Sequence, residues 1–267
     1  MELSIIIVNY KSLKKLTTCV ASLLASETAG LNYEIILVEN NSGEDLSALL
    51  SLSPRLKLII SPKNLGMGGG NNLGLAAASG EYVFILNPDT VVQGAALETL
   101  LSYLKTHSEV GIVGPKLLNP DGSLQYSCAR FPKFHTPLLR RTFLGDYFAA
   151  DRDRFQMIDF DHETIKEVDW LMGSALMFKK RLVRPDGGFW EPKFDELYFM
   201  YFEDTDLCRQ AQHQGFKVVY HPGAVLIHDH ARESAKHPWY LAVFLDRLAW
   251  RHIGSWLKYF LKWKLKF

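Results

Sequence analysis

Three short runs with almost no polar interruption, SIIIV at 4–8, EIILV at 34–38 and YVFIL at 82–86, constrain this chain more than any other feature. A strand with one wet face alternates polar and apolar residues. Runs that do not alternate belong to strands covered on both faces, the condition of a parallel sheet between helical layers. The segments between them carry helical spacing, so the chain reads as βαβ units. Strands are expected at Leu3–Asn9, Glu34–Val38, Leu56–Ile60, Tyr82–Leu86 and Val110–Val113, and helices at Leu13–Leu24, Gly70–Ala78 and Ala95–Lys105. From 119 to 166 the periodicity is lost, and Asp-Gly, Phe-Pro and clustered Arg and Asp describe an excursion over the surface. Regular patterning returns over Val168–Phe178, followed by a turn-rich RPDGGFWEPKF, a helix over Asp204–Gln214, and short strands at Val218–Tyr220 and Ala224–Ile227.

Charge and cysteine content narrow the partners. Thirty basic against 29 acidic residues leave a net charge of +1, which excludes a general nucleic-acid binder driven by phosphate neutralisation. Cys19, Cys128 and Cys208 are odd in number and widely spaced, so no disulfide framework is expected and a reducing, cytoplasmic setting fits. The amino terminus reads as a first strand rather than a signal peptide. No run approaches the roughly 20 apolar residues that span a bilayer, so the chain is expected to be soluble or peripheral.

Open parallel sheets bind ligands beyond the carboxyl ends of their strands. The residues there are Asn9, Glu39-Asn40-Asn41-Ser42, Asn64 with Gly66, and Asn87-Pro88-Asp89-Thr90. Pro88 stops the ladder and aims the next carboxylate off the sheet edge, so Asp89 is either a ligand for a hard divalent cation or part of an ordinary turn. Glu39 with Asn41 either contacts a nucleotide or closes a capped turn. The stretch 64–72, with four glycines at 66, 68, 69 and 70, either lets backbone amides approach a ligand at a helix start or is a linker. It has neither P-loop spacing nor the dinucleotide fingerprint, which disfavours a kinase or a dehydrogenase.

Two later clusters carry chemistry. Glu203-Asp204-Thr205-Asp206 crowds acids at a helix start behind the aromatic run LYFMYF. Those acids complement the helix dipole, or one of them, partly desolvated, serves as a general base. His228 ends a strand and can partner a carboxylate on manganese; a zinc site built from it with His221, His230 and His237 is the weaker option. The tail from Arg251 to Phe267 holds five basic residues and no acidic one. As a helix it sets Lys258, Lys262 and Lys266 opposite Trp256, Phe260, Trp263 and Phe267. It therefore either lies on an anionic membrane or packs its aromatic face on protein.

Taken in order, SIIIVNY, EIILVENNS, NLGMGGGNN, GEYVFILNPDT, VGPKLLNPDGS, EVDWLMGSALMF and FDELYFMYFEDTDLCRQAQHQGFKVVYHPGAVLIH resemble the family 2 glycosyltransferases, in particular bacterial rhamnosyltransferases, over Leu3 to His228. The resemblance implies an α/β GT-A fold with a Rossmann-like, mostly parallel sheet, inversion at the anomeric carbon, a dTDP- or UDP-sugar donor, and Mg2+ or Mn2+. It implies Asp89 and His228 as metal ligands and Asp204 as catalytic base, with Glu203 the second candidate. Donor contacts are expected from Asn9, Glu39, Asn41, Asn64, Gly69, Asn72, Asn87 and Asp89, and a sugar or acceptor wall from Trp170, Gly173 and Ser174. Glu39 and Asn87 stand where the family more often has aspartate or another acid.

The implied organisation is a nucleotide-sugar half at 1–115, an acceptor and catalytic half at 116–235, and a helical tail at 236–267. The implied role is sugar transfer to a saccharide or lipid-linked acceptor in surface polysaccharide synthesis, at the inner face of the cytoplasmic membrane. A nucleotidyltransferase and a non-catalytic nucleotide-sugar-binding module are the alternatives. The first lacks a basic, glycine-containing activation loop near the first strand, and donor hydrolysis or transfer would exclude the second.

Overall fold

The computed structural model describes residues 1–26, 30–136, 147–229 and 247–263. The first half runs β1 (Leu3–Asn9), α1 (Leu13–Ala25), β2 (Tyr33–Glu39), α2 (Ser47–Leu50), β3 (Leu56–Ile60), α3 (Gly66–Ala77), β4 (Tyr82–Leu86), β5 (Thr90–Val92), α4 (Ala96–Thr106) and β6 (Val110–Leu118). Short pieces follow: β7 (Leu124–Gln125), β8 (Cys128–Ala129), α5 (Ala149–Gln156), β9 (Lys166–Glu167) and β10 (Trp170–Leu171). The chain then forms β11 (Ala175–Lys179), β12 (Leu182–Val183), β13 (Phe189–Trp190), α6 (Glu203–His213), β14 (Lys217–His228) and α7 (Arg247–Lys262).

One sheet gathers most strands in the order β3-β2-β1-β4-β11-β6-β14-β5, with β7 on β6 and β9 on β14. The non-alternating runs explain its two covered faces. In β1, Leu3, Ile5 and Ile7 enter one apolar layer, where α1 contributes Leu16, Cys19, Val20 and Leu23. Ile6 and Val8 enter the opposite layer, beside Leu75 of α3 and Leu207, Cys208 and Ala211 of α6. Each such aliphatic side chain removed from water stabilises the fold by about 1.5–3 kcal/mol.

Over Val168–Phe178 the chain forms β10 and most of β11 with Gly173-Ser174 between them, and β11 wedges between β4 and β6 antiparallel to both. Two expectations are corrected. The two short strands expected at 218–227 are one, β14, with an irregular register between His221 and Val225 around Pro222. The third helix begins at Gly66, four residues before its expected start at Gly70.

Its glycines also do something other than expected. A Cβ at Gly74 would lie 2.4 Å from Ile6 Cγ2, and one at Gly70 would lie 2.8 Å from Val8 Cγ1. These residues let the helix backbone lie directly on β1.

Candidate functional site

The carboxyl edge of β4 ends in a tight turn. The Asn87 carbonyl accepts from the Thr90 amide at 3.3 Å and from its hydroxyl at 2.7 Å, while the Asn87 amide donates to the Ser174 carbonyl at 2.8 Å. The chain then reverses into β5, which pairs antiparallel with β14 and sets Thr90 opposite His228. That register brings Asp89 to His228.

Asp89 Oδ1 lies 3.3 Å from His228 Nε2, an ion-pair distance. Burial pushes the Asp89 carboxyl up, but the His228 ring and the Lys15 ammonium outweigh it, and the group is held below the usual carboxylate range. The other imidazole nitrogen, Nδ1, contacts Gln125 Oε1 at 2.6 Å. Gln125 Nε2 donates to Asn119 Oδ1 at 2.9 Å and to the His228 carbonyl at 3.3 Å, which fixes the amide so that its oxygen must accept. His228 therefore carries its proton on Nδ1, and in the neutral ring the Nε2 lone pair faces a carboxylate oxygen. A divalent cation suits that pairing of imidazole nitrogen with carboxylate oxygen, so the residues fit magnesium or, better, manganese.

Lys15 of α1 closes this corner. Its ammonium donates to the Asp229 carbonyl at 2.8 Å and pairs with the Asp229 carboxylate at 3.0 Å, while the Asp229 amide donates to the Asp89 carbonyl at 2.9 Å. Sequence reasoning missed Lys15 and Gln125. Each meets its partner across 214 and 103 residues, a separation that no local pattern encodes. Among the described residues there is no cluster of three His, Cys, Asp or Glu side chains arranged for a metal. His221 instead packs edge-on to Tyr103, and His230 and His237 lie outside the described residues.

The second acid stands at the start of α6. Asp204 Oδ2 accepts from the Gly173 amide at 2.8 Å, and Oδ1 accepts from the Thr205 amide at 2.6 Å and its hydroxyl at 3.2 Å. Gly173 is needed there, because a Cβ would lie 3.0 Å from Asp204 Cβ. Gly173 precedes Ser174, whose carbonyl holds the Asn87 turn, so two consecutive residues tie the Asp204 carboxylate to the loop that bears Asp89.

Burial raises the Asp204 carboxyl, opposed by these amide donors. Glu203 is pushed up to about 8, by burial first and then by the Asp204 charge. The two acids differ in access. Asp204 is partly exposed, whereas Glu203 is buried beside Gly68 of α3 with Oε2 accepting nothing.

The nucleotide side divides the same way. Asn41, Asn64 and Asn87 keep solvent exposure, while Asn9, Glu39, Gly69 and Asn72 are buried. Glu39 closes its own turn, its carboxylate accepting from the Asn41 amide at 3.0 Å and the Ser42 amide at 2.6 Å, with Asn41 left-handed at φ 61°. Asn9 donates to Glu44 at 2.8 Å and accepts from the Ser12 hydroxyl at 2.9 Å, so it shapes the β1–α1 loop from behind.

Asn72 is directed away from the edge. Its amide donates to the Phe194 carbonyl at 2.8 Å and its oxygen accepts the Phe194 amide at 3.0 Å. At the glycine run the first two amides are taken by the protein itself. Gly66 N–H donates to Asn64 Oδ1 at 2.9 Å, Met67 N–H to the Phe199 carbonyl at 2.9 Å, and a Cβ at Gly69 would meet Leu65 at 2.8 Å. Trp170, partly buried, packs against Phe155 beside the apolar layer under α6.

The tail helix α7 resolves the two-sided expectation. Tyr259 and Phe260 are buried with Tyr198 and Phe202, and Phe134, Trp256 and Trp263 pack beside them, so the aromatic face covers the protein's own core. Lys262 is no part of a basic outer stripe. It pairs with Asp195 and Asp206, both at 2.7 Å. Lys264, Lys266 and Phe267 lie outside the described residues.

A sequence profile described as glycosyl transferase family 2 matches residues 4–162, more than half of the chain. The N-acetylglucosaminyl-diphospho-decaprenol L-rhamnosyltransferase of Mycobacterium tuberculosis is 29% identical over 292 residues, covering 99% of this chain and 89% of that relative. Rhamnosyltransferase WbbL of Escherichia coli K12 is 26% identical over 74% of this chain and 73% of its own length. Among solved structures, GalNAc-T7 with UDP, GalNAc and Mn2+ matches with a TM-score of 0.64 at 14% identity, over 87% of this chain and 44% of that one. That likeness is one of fold.

Proposed function

The chain belongs to glycosyl transferase family 2, and from that premise we propose that it is an inverting enzyme that moves rhamnose or a related hexose from a dTDP- or UDP-sugar to a saccharide on a lipid carrier. It is a glycosyltransferase with the GT-A fold. The observation that carries the finer reading is the Asp204 carboxylate, partly exposed and tied through Gly173-Ser174 to the turn that bears Asp89.

In the proposed reaction, Asp204 takes the proton of the acceptor hydroxyl as its oxygen bonds to C1 of the donor sugar. The C1–oxygen bond to the nucleoside diphosphate breaks on the opposite face, and the anomeric centre inverts. The raised Asp204 carboxyl suits a base that must pick up a proton near neutral pH. Glu203, buried beside α3 and protonated, keeps a second negative charge away from Asp204.

Asp89 and His228 would hold the divalent cation, oriented by Gln125, and when bound that ion offsets the charge of the leaving diphosphate. Lys15 adds a fixed positive charge at the same corner. Asn41, Asn64 and Asn87 remain as the exposed edge groups able to meet the donor.

The lipid carrier places the protein at the cytoplasmic face of a membrane. The support is the outer face of α7, where Trp250, Leu257 and Leu261 are 59%, 44% and 74% exposed. Among the described residues no helix is long and apolar enough to cross a bilayer.

A thermal-shift screen of dTDP-rhamnose and UDP-sugars, with and without Mn2+, tests the donor reading. Ligand at about 100 times its dissociation constant stabilises the folded state by about 2.7 kcal/mol, so one donor should raise the midpoint, and more so with the metal. No shift with any nucleotide sugar would overturn the proposal.

A further inference from the structure

The base helix is reached by a loop in an unusual conformation. Tyr201 and Phe202, immediately before Glu203-Asp204, are both left-handed, at φ 69° and 68°. Bulky residues adopt that conformation only where their surroundings impose it. Two elements hold this loop from opposite sides.

On the inner side, α3 takes the Phe199 carbonyl through the Met67 amide at 2.9 Å, and Asn72 bonds both backbone groups of Phe194. On the outer side stands α7. Ser255 Oγ donates to the Met200 carbonyl at 2.8 Å, Lys258 Nζ to the Leu197 carbonyl at 3.0 Å, and Lys262 Nζ to the Asp195 carboxylate at 2.7 Å. Positions 255, 258 and 262 share one helix face and meet 200, 197 and 195 in descending order, so helix and loop run antiparallel as a ladder.

The ladder ends on the base helix itself. Asp206, fully buried two residues after Asp204, accepts from Lys262 Nζ at 2.7 Å and Trp263 Nε1 at 2.7 Å, with Gln210 and the Tyr198 hydroxyl completing its shell. Arg209, further along α6, donates to the Tyr259 hydroxyl at 2.9 Å. The tail helix is thus bonded both to the strained turn and to the helix that starts from it.

We propose that α7 is a positioning element of the transfer centre: its Ser255, Lys258, Lys262 and Trp263 hold the left-handed turn at 201–202 and aim Asp204 at the Gly173 amide and the cleft. The inference rests on the reading of Asp204 as the base. Lys262 and Trp263 touch no reacting atom. They act through Asp206 and Asp195.

Lys262→Met, Trp263→Phe and Lys262→Arg in the full chain test it. Trp263→Phe removes the N–H donor and keeps an aromatic side chain in place, which guards against a variant that fails to fold. The first readout is backbone amide exchange. Segments 199–206 and 171–174 should exchange about tenfold faster in Lys262→Met and Trp263→Phe, while 82–86 in the central sheet keeps its protection.

The second readout is nucleoside diphosphate release from dTDP-rhamnose. The same two variants should lose about tenfold or more in kcat with donor KM within about twofold of wild type, because a small misplacement of a catalytic group costs rate rather than ground-state binding. Lys262→Arg should restore both readouts.

Exchange unchanged at 199–206 in all variants would overturn the proposal, as would a uniform rise that includes the sheet. If the wild type releases nothing from the donor, the functional reading fails, and the exchange data alone decide whether α7 holds the turn.

Discussion

Gly74→Ala is the sharpest test of why α3 is so rich in glycine. The new Cβ would lie 2.4 Å from Ile6 Cγ2 and 3.3 Å from Cγ1. Ile6 is fully buried in β1, which is hydrogen-bonded to a neighbour on each side, and its β-branched side chain is stiff at χ1. Overpacking a close-packed core costs about 1–3 kcal/mol. Replacing glycine by alanine inside a helix returns about 1 kcal/mol.

A 2.4 Å approach puts the cost at the upper end of that range, so the net loss is about 2 kcal/mol, and at roughly 2–4 °C per kcal/mol for a chain near this size the melting midpoint should fall by about 4–8 °C. Gly254→Ala in α7 is the control, because nothing lies within 4 Å of its Cβ position. There only the propensity gain remains, and the midpoint should hold or rise by about 2–4 °C. Calorimetry on both variants at one protein concentration decides. A Gly74→Ala protein as stable as wild type would refute the packing account, as would one that keeps its midpoint and loses only nucleotide binding.

Glu203 gives a pH signature. Its folded pKa of about 8 lies above the ordinary carboxyl value, so its contribution to stability is complete below about 4.5 and is lost as pH rises through about 8. Urea midpoints of the wild type should therefore fall between pH 5.5 and 8.5 more steeply than those of Glu203→Gln, and parallel curves would contradict the assignment. Gln125→Leu removes the acceptor that orients His228, and should weaken Mn2+ binding in the presence of UDP by about 10–100-fold, read by electron paramagnetic resonance of free Mn2+. Unchanged affinity would mean that His228 is no ligand. Leu257→Ser combined with Leu261→Ser should reduce sedimentation with anionic vesicles while amide protection of Tyr259 and Phe260 is kept, and undiminished sedimentation would place membrane contact elsewhere.

The first half of the fold was legible because β1, β2 and β4 are buried on both faces and read as unbroken apolar runs; β1, β3 and β4 have the bounds that the runs suggest. The placement of β11 was not legible. Nothing in WLMGSALMF tells a strand that continues the parallel order from one that enters antiparallel between β4 and β6. At the site, Asp89 and Asp204 announced themselves as acids at a strand end and at a helix start. Which of the acids and amides face solvent was hidden, because Glu203, Asn72 and Glu39 turn inward through contacts that only the folded chain makes. The tail showed its two faces plainly in sequence. The aromatic one packs inward because Tyr198, Phe202 and Phe134, far away in the chain, supply the surface it covers.

Whether Asp204 is the base is decided most directly by sugar transfer from dTDP-rhamnose to a lipid-linked saccharide, measured for wild type and Asp204→Asn beside calorimetric binding of the nucleoside diphosphate with Mn2+. The substitution keeps the shape and removes the ability to take a proton, and its single amide oxygen can accept from Gly173 or from Thr205 but not from both. The account predicts a loss of about 10²–10⁴ in turnover with nucleotide binding retained. Transfer at the wild-type rate by Asp204→Asn would contradict it.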